Sequence, residues 1–204
     1  GNSILFEGEQ EDLPDHFYMA AHLPTGSVEN ASRFSDLDKE GRSEQFLTVL
    51  TKEYPWIHSL SVQVEAGQPI VHAKIRGSQR SLPLALVSGG LNRTLSMYLI
   101  MASRNKSVLL VDEIEGGVYY KHMASFWRSF LEFSRSYNSQ VFVTTHSNEC
   151  LKALATQMRP ERDDVALWRL ERTVDGKPIL YQFSGMELKL GLENDAEVRG
   201  GVEH

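Results

Sequence analysis

Two short apolar segments, each followed at once by polar residues, place the strongest constraint on how this chain folds. They are Ser107–Val111 and Gln140–Thr144, and neither alternates polar with apolar residues, which is typical of parallel strands covered on both faces. Between them, Tyr119–Tyr137 repeats large apolar residues at helical spacing and is predicted to be a helix. A strand, a helix and a second strand predict a right-handed crossover and therefore an α/β fold.

The rest of the sequence predicts two antiparallel hairpins and further helices. The predicted elements are a buried strand at His16–Leu23, two helices within Asn30–Tyr54 that join near Gly41, a hairpin of His58–Val64 and Ile70–Ile75, a helix at Asn148–Gln157, and a hairpin of Val165–Leu170 and Ile179–Phe183. Residues 1–80 are expected to join a preceding lobe, residues 81–185 to form the core, and residues 186–204 to be a poorly patterned tail.

The composition narrows the class of protein. With 21 basic and 27 acidic residues, the formal net charge is -6, so no globally basic surface favours DNA binding, which stays open. Cys150 is the one cysteine, so an intrachain disulfide is impossible and a reducing, cytoplasmic setting is expected. No apolar run approaches the roughly 20 residues that cross a bilayer, so no membrane span is expected.

Two carboxylates, Asp112 and Glu113, follow the first apolar strand. In open α/β sheets, ligand sites form beyond the carboxyl ends of the strands. Asp112 is a candidate for holding Mg²⁺, usually through a water, and Glu113 is a candidate for polarising the water that attacks a γ-phosphate. The alternative is that both acids only cap the strand and begin a solvated turn.

The segment Ser88–Gly89–Gly90 stands immediately before a predicted helix. The start of a helix offers unpaired N–H groups and a partial positive charge, and glycines let an anion approach the backbone closely. The segment is therefore a candidate phosphate cap. The alternative is an ordinary helix start in which a Ser88 or Asn92 side chain caps the helix and the glycines only make the turn.

A histidine, His146, follows Thr144 and Thr145 at the end of the second parallel strand. From that position an imidazole can donate a hydrogen bond to a γ-phosphate oxygen and can sense whether that phosphate is present. The alternative is a strand-terminal histidine bonded to a neighbouring carbonyl. The three candidate motifs share one predicted edge of the sheet.

In this order and spacing, the stretch from Leu82 to Leu154 resembles the ABC-type ATPase heads shared by SMC proteins, RecF and the OLD-family nucleases, especially compact bacterial AAA ATPases of the OLD-like group. The matching segments are LPLALVSGGLNR as the signature, SVLLVDEIEGG as Walker B with the D-loop, and QVFVTTHSNECLKAL as the switch region. The resemblance implies the C-terminal lobe of such a head, with ATP and Mg²⁺ as cofactors.

The resemblance also implies individual roles. Asp112 would coordinate Mg²⁺, Glu113 would be the catalytic carboxylate, and His146 would contact the γ-phosphate. Two further groups would lie at the interface of a homodimer that holds ATP between its heads: Ser88, Gly89 and Gly90 facing the nucleotide of the second protomer, and Glu115, Gly116 and Gly117 as the D-loop. An effector protein or DNA would be a possible further partner.

A phosphate-binding loop ending in Gly–Lys–Ser/Thr does not occur in the sequence. The chain is therefore expected to be the C-terminal part of an ATPase, inactive by itself because the lysine and the backbone cradle are absent. Two other functions stay open: a non-catalytic interaction module that uses its hairpins, and a metal-dependent nuclease that uses Asp112, Glu113 and Glu115.

Overall fold

The chain folds into strands and helices that mostly follow the predicted order. The computed structural model describes residues 15–21, 26–104, 106–159, 164–173 and 175–193. The strands are β1 (His16–Met19), β2 (Ile57–Glu65), β3 (Gln68–Ile75), β4 (Ser81–Pro83), β5 (Val108–Val111), β6 (Gln140–Val143), β7 (Ala166–Arg172) and β8 (Pro178–Ser184). The helices are α1 (Ser27–Lys39), α2 (Ser43–Glu53), α3 (Leu84–Val87), α4 (Gly89–Ser103), α5 (Met123–Ser136), α6 (Asn148–Ala155) and α7 (Gly185–Glu193), and a 3-10 helix spans Tyr120–His122.

A three-stranded parallel sheet in the order β1, β5, β6 positions the candidate site. Both strand pairs are parallel, so all three strands end at the same edge. The predicted α/β class, with parallel strands flanked by helices and with antiparallel hairpins, is confirmed. The first strand is shorter than the predicted His16–Leu23, and the end of that range lies outside the described residues.

One row of large side chains on this sheet is exposed. Tyr18, Leu110 and Phe142 occupy matching positions on the three strands and are 68%, 38% and 43% exposed. Leu109 and Val111 point to the opposite face and are buried. The expectation that both faces of these strands are covered is therefore wrong at this row, because the described elements leave it open to solvent.

The first helical pair and the first hairpin form as the sequence predicts. Gly41 adopts a φ of 71° between α1 and α2, a left-handed conformation that favours glycine at such a junction. Strands β2 and β3 are antiparallel and are joined by Ala66 and Gly67, whose φ angles of 48° and 81° are typical of a type I′ turn. Strand β4 adds a third, antiparallel strand to this sheet.

The C-terminal hairpin β7–β8 is confirmed, but the expected tail begins with a helix. Helix α7 buries Leu188 and Leu192. It starts with a reciprocal cap in which the Ser184 backbone N–H donates to Glu187 Oε2 at 2.7 Å and the Glu187 N–H donates to Ser184 Oγ at 3.3 Å. This is the Ser-x-x-Glu capping box, a signal that was present in the sequence. The apolar pattern alone missed the helix because it has few buried positions.

Residues from both sides of the boundary predicted near residue 80 pack together in the hydrophobic core. Phe46 on α2 packs edge-on against Phe133 on α5, with ring centroids 5.5 Å apart. Tyr98 on α4 stacks on Phe133, with the two ring centroids 4.0 Å apart. Helix α4 therefore lies against both segments, and the division of the chain at residue 80 stays a prediction.

A partly buried carboxylate lies beside this aromatic cluster. The Tyr98 hydroxyl donates to Glu53 Oε2 at 3.0 Å. Burial raises the pKa of Glu53 above its ordinary value, and hydrogen bonds from Ser129, Tyr98 and Tyr54 together with the charge of Arg128 oppose that shift. Burial also raises the pKa of Tyr54, and the charge of Glu53 adds to this shift, so its hydroxyl stays protonated.

Glu53→Gln is expected to flatten the pH dependence of folding stability. Because the pKa of Glu53 is higher in the folded state, its protonation stabilises the fold below the unfolded pKa, and this contribution disappears as pH rises through the folded pKa. The free energy of unfolding should therefore fall between about pH 4.5 and pH 8 by about 1.4 kcal/mol per unit of pKa difference in the wild type, but not in the variant. Urea titrations at both pH values measure the difference, with the exposed Glu44→Gln on the same helix as control. Equal slopes for both variants would contradict the assignment.

Among the helices described here, none has the length and apolar composition that a membrane crossing requires.

Candidate functional site

The ends of β5 and β6 are joined by Thr144. Its hydroxyl donates to Asp112 Oδ1 at 2.6 Å and accepts the backbone N–H of Glu113 at 2.9 Å. The Ile114 N–H also donates to the Thr144 carbonyl oxygen at 3.1 Å. Thr144 therefore orients the Asp112 carboxylate and fixes the backbone that carries Glu113. The sequence pattern gave Thr144 no role.

Glu113 has an unusual backbone conformation. Its φ is 49°, in the left-handed region that non-glycine residues seldom adopt. A tight turn follows, in which the Gly116 N–H donates to the Glu113 carbonyl oxygen at 2.9 Å and Gly117 has a φ of 80°. Such a conformation costs on the order of 1–3 kcal/mol and persists when surrounding contacts determine it.

The switch segment contacts this turn from the next strand. The backbone N–H of His146 donates to Glu115 Oε1 at 3.2 Å, and the His146 side chain is exposed. Ser147 then caps α6 by accepting the N–H of Cys150 at 3.1 Å. The imidazole is thus held at the rim of the sheet by its backbone, while its ring faces solvent and can meet a ligand.

The segment Ser88–Gly90 abuts the same turn. Ser88 Oγ accepts the N–H of Leu91 at 3.2 Å and caps α4, as the helix-cap interpretation expects, while its role toward a phosphate stays a prediction. A Cβ atom built on Gly90 would lie 1.8 Å from the Gly117 carbonyl oxygen, so the two backbones are in direct contact. A Cβ atom on Gly89 would meet no atom within 4 Å. The face of the helix start at Gly89 is therefore open.

Arg93, one turn into α4, ties this helix to two strand ends. The residue as a whole is only 8% exposed. Nη1 donates to the Ala20 carbonyl oxygen at 2.9 Å, and Nη2 donates to the carbonyl oxygens of Asp112 at 2.6 Å and Glu113 at 3.4 Å. The sequence pattern gave Arg93 no role, although a charge in an otherwise apolar helix was a usable signal.

The rim carries a buried positive charge among acids. Burial lowers the pKa of the Arg93 guanidinium, and the negative charges of Asp112, Glu113 and Glu115 oppose this effect. The guanidinium nevertheless stays charged because its ordinary pKa is so high. The three acids therefore offset the cost of burying the positive charge of Arg93.

The predicted residues thus meet at one rim of the sheet. Ser88–Gly90 touches Gly117, Asp112 and Glu113 are tied to Thr144, and the backbone of His146 is tied to Glu115. The contacts support the predicted common rim, whereas the role of each residue stays a prediction.

The donors at this rim fit Mg²⁺ that is shared with a phosphate better than a metal cage. Mg²⁺ is usually held by one or two carboxylates together with waters and substrate phosphates, and Asp112 at the strand end offers such a carboxylate. Within the described ranges, no group of three or more His, Cys, Asp or Glu side chains is arranged to hold a metal ion. The nuclease hypothesis, which needs Asp112, Glu113 and Glu115 as joint ligands, therefore gains no support.

Comparison with known protein families gives a match over most of the chain. Residues 4–152 match the family described as "AAA domain, putative AbiEii toxin, Type IV TA system", which covers well over half of the chain. The chain belongs to this AAA domain family. The matched residues include the start of α4, the β5 acids and His146, so the AAA domain match spans every predicted site residue.

An ATP/GTP phosphatase of Helicobacter pylori is 28% identical to this AAA domain over 133 residues. The alignment covers 62% of this chain and 35% of that protein. The chain therefore spans about a third of the length of this relative.

Solved SMC ATPase heads share the fold of this AAA domain. One, from work on ATP-driven dimerization and DNA-stimulated activation of SMC ATPases, has a TM-score of 0.54 and 17% identity, covering 82% of this chain and 99% of that chain. Another, an SMC head bound to the C-winged helix domain of ScpA, has a TM-score of 0.54 and 16% identity, covering 78% of this chain and 51% of that chain. At these identities the likeness concerns the fold alone.

Proposed function

We propose that this AAA domain is the part of a dimeric ATPase head that supplies the signature turn, the acidic pair and the switch histidine. The observation that carries the proposal is the single rim on which Ser88–Gly90, Asp112, Glu113 and His146 meet. In the complete head, Asp112 would hold Mg²⁺, Glu113 would accept a proton from the attacking water, and His146 would donate a hydrogen bond to the γ-phosphate. When bound, Mg²⁺ would supply positive charge that offsets the charge of the phosphates.

The open helix start is suited to the nucleotide of a second copy. Gly89 leaves space at the first turn of α4, where N–H groups and the helix dipole attract a phosphate. The Ser88 hydroxyl accepts one hydrogen bond within the helix and keeps its own hydrogen to donate. We therefore infer a homodimer with ATP between its heads, as ATP-driven dimerization of the SMC neighbour suggests. The turn Glu115–Gly117 would lie at the same interface.

A groove beside β6 has room for a further strand. It measures about 760 Å³ and is lined by Val141 and Val143 from β6 and by Leu167 and Trp168 from β7. Among the described strands, β6 pairs only with β5 and β7 pairs only with β8, so the groove lies between two unpaired strand edges. One added strand would unite the parallel sheet and the C-terminal hairpin.

The added strand is expected to run parallel to β6. If it ran parallel to β6, its carboxyl end would emerge at the rim beside Asp112 and His146, where a phosphate loop is needed. We therefore propose that the strand leading into a Gly–Lys–Ser/Thr loop fills this groove. The exposed row of Tyr18, Leu110 and Phe142 would be covered by the same lobe.

The second candidate is a non-catalytic interaction module. Leu170 and Leu180 on the β7–β8 hairpin are 67% and 62% exposed, which favours a protein contact there. An effector protein or DNA is compatible with either candidate.

We place the protein in the cytoplasm, since its buried Cys150 is a free thiol.

The chain alone is expected to bind ATP weakly and to hydrolyse it negligibly, because the lysine and backbone cradle of a phosphate loop are missing. Co-expression with a phosphate-loop segment of a homologous AAA domain should restore ATP binding, measured with a fluorescent ATP analogue, and phosphate release. The same segment with its loop lysine changed to alanine is the control. The backbone amides of Val141 and Val143 should become protected from hydrogen exchange in the complex.

The result separates the two candidates. Recovered binding and protection at β6 support the ATPase head. Indifference to nucleotide despite formation of the complex would favour the interaction module. ATP turnover by the purified chain alone would contradict the proposed dependence on a phosphate loop.

A further inference from the structure

We infer that Arg93 is a positioning residue that holds Glu113 in its active backbone conformation; the inference rests on the proposed function. The backbone of Glu113 has a φ of 49°, a conformation that glutamate seldom adopts without support from its surroundings. Something in the surrounding structure must therefore stabilise this backbone, and the contacts on its two sides identify what does.

Two side chains from distant parts of the chain form hydrogen bonds with the backbone of Asp112 and Glu113. On one side, Thr144 Oγ1 accepts the Glu113 N–H at 2.9 Å. On the other side, Arg93 Nη2 donates to the carbonyl oxygens of Asp112 at 2.6 Å and Glu113 at 3.4 Å. The Glu113 carbonyl also accepts the Gly116 N–H, so Arg93 supports the first hydrogen bond of the turn.

The guanidinium also fixes where this turn lies. Its Nη1 donates to the Ala20 carbonyl at 2.9 Å, just beyond the end of β1. Arg93 belongs to the first turns of α4, whose start forms the candidate phosphate cap. One buried side chain thus connects the signature helix with the ends of β1 and β5. Any shift of α4 on nucleotide binding would be transmitted to the backbone of Glu113 through these bonds.

The geometry of the side chain, rather than its charge alone, accounts for this role. A guanidinium is planar and donates in fixed, diverging directions, which lets it reach carbonyls on two strands at once. A lysine would keep the positive charge among Asp112, Glu113 and Glu115 but would offer one compact ammonium group. Arg93→Lys therefore keeps the positive charge but removes the diverging N–H donors of the guanidinium. Arg93→Met removes both the charge and the donors while keeping an apolar side chain.

A matched control is available at the other end of the same helix. Arg42 Nη1 donates to the carbonyl oxygen of Ala102 at 2.8 Å, far along α4 from the rim. Arg42→Lys and Arg42→Met disturb an arginine contact with the α4 backbone without touching the acidic turn. These variants report what a general loss of packing on α4 would do.

The first experiment needs no nucleotide. Amide hydrogen exchange of the isolated chain, read by NMR, is expected to accelerate about tenfold or more at Gly116 and at Glu113 in Arg93→Met. Arg93→Lys should resemble Arg93→Met, whereas the Arg42 variants should leave this turn unchanged. The hairpin amides of β2 and β3 serve as the internal reference. Unchanged exchange at Gly116 in both Arg93 variants would overturn the inference, and Arg93→Lys decides it if Arg93→Met does not fold.

The second experiment uses the head completed with a phosphate-loop segment. Turnover per ATP-binding site is expected to fall about 100-fold in Arg93→Lys, with KM changed less than about threefold, because a misplaced carboxylate slows chemistry more than binding. Normal turnover per bound site, despite faster exchange at the turn, would overturn the positioning role. An inactive wild-type assembly would instead contradict the proposed function, while the exchange result would still decide whether Arg93 holds the turn.

Discussion

Glu113→Gln is expected to lower ATP turnover by the completed head about 10²- to 10⁴-fold while ATP binding is retained. Glutamine has nearly the same size as glutamate, and the backbone at this position is held by Thr144 and Arg93 through main-chain groups that the substitution leaves in place. The one function removed is the ability to accept a proton from the attacking water. Phosphate release and binding of a fluorescent ATP analogue measure the two effects separately.

The same variant should also change the oligomeric state. If ATP is held between two heads and its hydrolysis releases them, the dimer of Glu113→Gln should persist with ATP and Mg²⁺, whereas the wild-type dimer should dissociate as ATP is consumed. Light scattering over time distinguishes the two. Glu132→Gln is a suitable control, because Glu132 lies on α5 and pairs with Lys52 at 2.9 Å, away from the rim. Turnover within about twofold of wild type would remove Glu113 from the catalytic step.

The parts of this fold that the sequence predicts are those encoded within a few neighbouring residues. Strands β5 and β6 are short apolar runs, the β2–β3 turn has a glycine where a positive φ is required, and α1 and α2 meet at Gly41. Each of these features follows from local sterics or from the period of apolar residues. The candidate rim follows as well, because parallel strands bring their carboxyl ends together.

The parts that the sequence did not predict depend on contacts between distant residues. Arg93 reaches Ala20, 73 positions away in sequence, and Thr144 reaches Asp112 across 32 positions. No local pattern shows which distant groups these side chains contact, although the charge of Arg93 within an apolar helix was a usable signal. Helix α7 was missed for a different reason, since its Ser184-x-x-Glu187 cap was readable but its apolar period was weak.

The parallel sheet is less buried than the sequence pattern predicts. The apolar runs of β5 and β6 predict two covered faces, yet Leu110 and Phe142 remain exposed in the described structure. The sequence pattern therefore suits a larger assembly than the elements seen here. The groove between β6 and β7 points in the same direction, because a strand edge that stays unpaired is a site at which another strand adds. The proposed phosphate-loop lobe would satisfy both features.

Gly90→Ala is expected to destabilise the chain by about 2 to 3 kcal/mol and to separate the signature turn from the acidic turn. The added methyl group would lie 1.8 Å from the Gly117 carbonyl oxygen and 2.7 Å from its carbon, and both sides of this contact are backbone. Gly117 lies within a turn held by the hydrogen bond from the Val118 N–H to the Glu115 carbonyl oxygen at 2.9 Å, which resists its movement. The repulsion should outweigh the roughly 1 kcal/mol that alanine gains over glycine in a helix.

The neighbouring Gly89→Ala provides the matched control for this stability measurement. It lies in the same helical turn, but its added methyl group would meet no atom within 4 Å, so only the gain in helix propensity remains. Urea denaturation should therefore shift to lower concentration for Gly90→Ala and stay level or rise slightly for Gly89→Ala. Equal stability of the two variants would mean that Gly90 and Gly117 are not in contact. The helix start and the Glu115–Gly117 turn would then not share the rim on which the proposed nucleotide site depends.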